Sequence, residues 1–188
     1  RLAKASVSRK SYDDIMAQSV AVTDENGTTV ILIYCDLITC TKDFTSSIVY
    51  TVSVATGVPE DHIFLNMSHS HSVPSTATTS VDAVVEYNKT LPDLFARSAL
   101  QAMHDRQPAT METGSFEVQQ TVNGKTQYYN FYRHYTTEVD GVLQYFGDQF
   151  GTAVYNSTTK PIRDADHTMH LVKFTRDGKD ILMANWRI

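Results

Sequence analysis

Residues 28–38 read TTVILIYCDLI, an apolar run rich in β-branched side chains and without a polar face. Such a run fits a central strand covered on both sides. It ends in Cys35-Asp36-Leu37, which puts a carboxylate where the strand leaves its sheet. Before it stands a second β-rich run, AQSVAVT at 17–23, and the intervening Asp24-Glu25-Asn26-Gly27 contains the Asn-Gly pair that favours a hairpin. After it, the spacing of Phe44, Ile48, Val49, Val52 and Ala55 predicts a helix from Asp43, its N-cap, to Thr56, stopped by Gly57. Ile63-Phe64-Leu65-Asn66-Met67 then has the pattern of a short buried strand. Strand, helix and strand in that order predict a parallel βαβ unit. The fold class that follows is α/β: a mixed β-sheet with flanking helices, starting with a hairpin and a βαβ unit.

Open α/β sheets collect their chemistry where strands release their carboxyl ends. Asp36 falls there, and so does Ser68-His69-Ser70-His71-Ser72-Val73-Pro74, directly after the second strand of the unit. Two histidines spaced i, i+2 point to one side if the strand continues, and can present two imidazoles to one metal or one substrate. Small hydroxyl side chains around them leave room for a ligand, and Pro74 restricts the exit of the loop. Asp36 either orients an imidazole through its second nitrogen or caps a loop. His62, His104, His134, His167 and His170 lack such surroundings.

Farther along, residues 91–105 predict a helix with Pro92 in its first turn. Residues 110–122 alternate as a strand would, Asn123-Gly124 makes a turn, 127–135 are crowded with aromatics, and 136–165 are polar and irregular. Residues 167–175 and 180–186 form two last strands around Arg176-Asp177-Gly178-Lys179, a hairpin signal. No repeat, low-complexity tract or linker interrupts the chain, so 1–188 is drawn as a single domain.

Composition narrows the function classes. With 41% hydrophobic and 20% charged residues, the chain has the makeup of a globular protein with a sizeable core. A net charge of -5 with scattered Lys and Arg offers no basic face for a nucleic acid. No apolar run approaches the roughly 18 residues of a transmembrane helix. Cys35 and Cys40 are too few for a disulfide scaffold or a zinc knuckle, and Cys35, inside the apolar run, is expected to be a small buried hydrophobe.

The succession DDIMAQSVAVTDENGTTVILIYCDLI at 13–38, the helix, and GVPEDHIFLNMSHSHSVPS at 57–75 resembles the N-terminal region of the neutral/alkaline ceramidases in order, spacing and its HxHS core. Tyr129-Asn130-Phe131-Tyr132-Arg133 resembles the family's Asn-Arg segment, and Asp164 to Phe174 followed by Asp177-Gly178-Lys179 resembles its late hairpin. The resemblance implies a zinc-dependent hydrolase of amide bonds, acting on an N-acyl lipid or related amide and secreted or periplasmic. It implies His69 as a zinc ligand, His71 beside the zinc or against the substrate oxyanion, and Arg133 near the substrate headgroup. The family's second zinc histidine follows the strand that ends here in Asn185-Trp186-Arg187-Ile188. Together with the start at Arg1, this sets the expectation of a front fragment with an incomplete, weakly zinc-binding and inactive site.

Ser72-Val73-Pro74-Ser75 departs from the family's Ser-Gly-Pro followed by glycines. That departure, with the aromatics Tyr128, Tyr129, Phe131, Tyr132 and Tyr135, supports an alternative: a noncatalytic lipid- or carbohydrate-binding module on the same scaffold. A serine hydrolase using Ser68 or Ser72 fits worse, because no Gly-x-Ser-x-Gly elbow is present and adjacent Ser-His side chains do not form the required geometry.

Overall fold

A computed structural model of the chain describes residues 13–77, 80–128, 134–148 and 166–185. The chain divides into two compact units, 1–106 and 107–188.

The first unit is built as its apolar runs predict. Strands β1 (Ala17–Thr23) and β2 (Thr29–Cys35) pair antiparallel from Ala17↔Cys35 to Thr23↔Thr29. Helix α1 (Lys42–Thr56) and a 3-10 turn at Glu60–His62 lead to β3 (Ile63–Met67), which pairs parallel to β2 from Ile31↔Ile63 to Cys35↔Met67. The order β1-β2-β3 makes β2 central and completes the hairpin and βαβ unit. Its burial is one-sided, however. Ile31, Ile33 and Cys35 are buried and Tyr34, facing the other way, is 43% exposed.

Those buried side chains meet both helices on one face, in a core with Ile48 and Val52 of α1 and Leu91, Phe95 and Ala99 of the second helix. Thr41 caps α1, its Oγ1 accepting from the Phe44 amide at 3.3 Å; Asp43, expected as the cap, sits in the first turn, where its charge favours the helix dipole. Gly57 ends α1 in the left-handed region at φ 74°, its amide donating to the Ser53 carbonyl.

Helix α2 spans Asp82–His104, so Pro92 stands inside it and not in its first turn. A proline there removes one helical hydrogen bond at a cost of about 3 kcal/mol. The apolar stripe nonetheless runs across it, through Leu91, Phe95 and Ala99. Burying large side chains is worth roughly 1.5–3 kcal/mol each, so the stripe outweighs the break. α2 is long yet polar on its outer face, and no described helix is apolar enough to cross a membrane.

The second unit is β throughout its described residues. β4 (Thr110–Glu117) is followed by two hairpins, β5 (Gln119–Val122) with β6 (Lys125–Tyr128), and β7 (His134–Val139) with β8 (Val142–Asp148). β9 (Thr168–Arg176) and β10 (Lys179–Asn185) complete an antiparallel sheet in the order β10-β9-β4. The β7-β8 hairpin corrects the expectation of irregular chain from 136 onward. Asp140-Gly141 makes its turn with φ of 53° and 78°, both positive, as a two-residue hairpin turn requires.

Candidate functional site

Three backbone paths meet at the carboxyl end of the first sheet. The Ser68 amide donates to the Cys35 carbonyl at 2.9 Å, carrying the β2-β3 ladder one step past Met67. The Asp36 amide donates to the Met16 carbonyl at 3.0 Å, and the Asp36 Oδ2 accepts from the Met16 amide at 3.1 Å. Of the two roles open to Asp36, the structure gives it the cap: it fastens the exit of β2 to the entry of β1.

The imidazole is oriented by a backbone group instead. His69 Nδ1 lies 2.6 Å from the Ile38 carbonyl. A carbonyl only accepts, so Nδ1 carries the proton and, in the neutral ring, Nε2 keeps the lone pair. Metal-binding histidines commonly use their second nitrogen in this way, which fixes tautomer and ring direction.

The pair does not arise from a continuing strand. β3 stops at Met67, and His69 takes φ 56°, a left-handed conformation in which histidine is several-fold enriched among non-glycine residues. The chain turns there, and His71 comes back edge-on to His69, with ring centroids 4.9 Å apart and planes at 84°. Both rings are exposed. The loop that carries them is pinned at its far end: Thr76 Oγ1 donates to the Thr39 carbonyl, and Asn88 Nδ2 of α2 donates to the Ser75 carbonyl at 3.0 Å. Ser68 Oγ is enclosed beside the pair with no hydrogen-bond partner among the described residues.

The two thiols of this end of the sheet are held protonated at neutral pH. Burial pushes the Cys35 thiol up to about 12, with negative charge at Cys40 and Asp36 acting in the same direction. Burial also raises Cys40, against a hydrogen bond from Thr76. A thiol held protonated is a poor nucleophile. Cys35 is buried, as expected for a small hydrophobe.

The structure thus brings His69 and His71 together, while Arg133 lies outside the described residues. Among the described residues, no three of His, Cys, Asp and Glu stand together as a metal-binding set. The Ile38 carbonyl is the functional group that sequence reasoning missed, because a backbone oxygen has no residue-type signature. No protein-family model, curated protein or solved structure matches the chain.

Proposed function

We propose that this chain carries the first metal-binding histidine of a zinc-dependent amide hydrolase of the ceramidase-like kind, acting on an N-acyl lipid or a related amide outside the cytoplasm. The observation that carries the proposal is the exposed His69 ring, anchored through Nδ1 on the Ile38 carbonyl and set edge-on to a second imidazole. Two imidazoles suit zinc in donor type, while a catalytic zinc takes about three protein ligands. The remaining ligands would therefore come from elsewhere, and these residues alone would hold the metal weakly.

When bound, zinc would lower the pKa of a water toward ~7 and polarise an amide carbonyl. His69 Nε2 would hold the metal. His71 would donate a proton or a hydrogen bond to the oxyanion that forms on the substrate. Arg133 would bind near the headgroup.

Elemental analysis tests this in the longest reading frame that contains these residues, in its His69→Ala variant and in the 188-residue chain. One zinc per long chain, lost on substitution and scarce in the short chain, supports the reading. Zinc in none of them turns the reading to the alternative, a noncatalytic lipid- or carbohydrate-binding module on the same scaffold.

A further inference from the structure

Strand β3 stands at one side of the sheet β1-β2-β3, and among the described residues no strand pairs with its outer edge. The N–H and C=O of a strand residue point to the same side, and the side alternates from one residue to the next. The Ser68 amide bonds the Cys35 carbonyl of β2, so Phe64 and Asn66 also direct their backbone groups to β2, while Ile63, Leu65 and Met67 direct theirs outward. The Ile63 amide is already committed, donating to the Glu60 carbonyl of the preceding turn. The edge therefore offers the Ile63 carbonyl and the amides and carbonyls of Leu65 and Met67.

The opposite edge of the sheet is covered. Ser98 Oγ of α2 donates to the Ala17 carbonyl at 3.2 Å and lies 2.8 Å from Ser19 Oγ, and Arg106, just past α2, bonds Thr23. Among the described residues β3 has no such cover. It also lacks the devices that keep an edge from pairing: Ile63–Met67 contains no charge and no proline, and Phe64 at its middle is 53% exposed.

We propose that β3 receives the β3 of a second copy of this chain, antiparallel, about a twofold axis at Leu65. The two sheets then join into one, in the order β1-β2-β3-β3-β2-β1. The edge is its own complement in this register. The Leu65 amide of each copy meets the Leu65 carbonyl of the other, and each Met67 amide meets the Ile63 carbonyl opposite, so the committed Ile63 amides are not needed. Phe64 of each copy stands opposite Asn66 of the other and in line with its Tyr34, so the exposed rings of both copies gather on the sheet face away from the helices. The antiparallel direction also sets the exposed carboxylates Glu60 and Asp61 of one copy beside the histidine end of the other strand, where a parallel one would set them beside each other. A contact that uses the same patch on both copies closes at the dimer, and the covered β1 edges leave nothing to extend it.

Sedimentation equilibrium of the 188-residue chain, from micromolar to millimolar, tests this. The mass is expected to rise from one chain to two and to stop there. Phe64→Lys places a charge on the edge, as protected edges do, and is expected to weaken the dimer at least about tenfold with an unchanged far-ultraviolet circular dichroism spectrum. The register is read by crosslinking: Phe64→Cys chains mixed with Asn66→Cys chains, under dissolved oxygen and a copper catalyst, are expected to form a disulfide-linked pair in far higher yield than either variant alone. A mass of one chain throughout, association that passes the dimer without a plateau, a Phe64→Lys chain that dimerises as tightly, or a mixture that crosslinks no better than its components would overturn the proposal.

Discussion

At the scale of the residue, His69 combines a strained backbone with an anchored ring. Its left-handed φ of 56° suits asparagine nearly as well as histidine and suits a β-branched residue badly. His69→Asn should therefore stay within about 0.5 kcal/mol of the parent in urea denaturation while losing zinc. His69→Val should lose zinc and also cost about 1–2 kcal/mol, because a β-branched side chain fits the left-handed region far worse than histidine does. Equal stability of the two variants would show that the left-handed turn is absent in solution. The two histidines could be picked out from their neighbours and from their place after a strand. The turn that brings them edge-on could not, since i, i+2 spacing implies a common side only where the chain stays extended. Asp36 shows the same limit: its position at a strand end was legible, but its choice of the Met16 amide depended on where β1 begins.

At the scale of the element, α1 is set by its two ends more than by its propensity, since β-branched residues crowd its interior. Thr41→Ala should cost about 1 kcal/mol by leaving the Phe44 amide without its cap. Gly57→Ala should cost a similar ~1 kcal/mol, and purely through the backbone, because no atom lies within 4 Å of where its Cβ would stand. Urea midpoints of both variants check this; a neutral Gly57→Ala would mean that α1 ends differently. Turn chemistry was legible where both central residues take positive φ, as at Asn123-Gly124 and Asp177-Gly178. At Asn26-Gly27 only Gly27 does, at 83°, and the Asp24 carboxylate ties the turn by accepting from the Asn26 and Thr28 amides. The start of α2 was missed because Pro92 resembles a first-turn proline. The core contacts of Leu91 and Phe95 decide instead that the helix continues through it.

At the scale of the whole molecule, the large buried side chains among the described residues belong to the first unit, around β2. This is why the α/β class was legible: one apolar strand, one helical stripe and a second short strand were enough to specify the unit. The same core carries groups that must remain neutral. Cys35 is raised from the ordinary 9.0 to about 12, and Cys40 and Tyr87 are raised too, all mainly by burial. Groups with a raised folded pKa contribute stability that is full below the unfolded pKa and is lost as pH rises toward the folded one. The urea midpoint should therefore hold up to about pH 9 and fall steadily above it, and Cys35→Ala should flatten that fall. A midpoint that rises between pH 9 and 11 would contradict the buried placement of these groups.

The central claim, that His69 offers Nε2 to a metal while Nδ1 stays on the Ile38 carbonyl, is tested most directly by titrating zinc into the 188-residue chain and following its imidazole nitrogens by NMR. The geometry predicts that the His69 Nε2 signal moves with added zinc, that its Nδ1 keeps the attached proton, and that His69→Ala abolishes the response. A zinc response that leaves His69 untouched, or that enters through Nδ1 with loss of its proton, would contradict the claim.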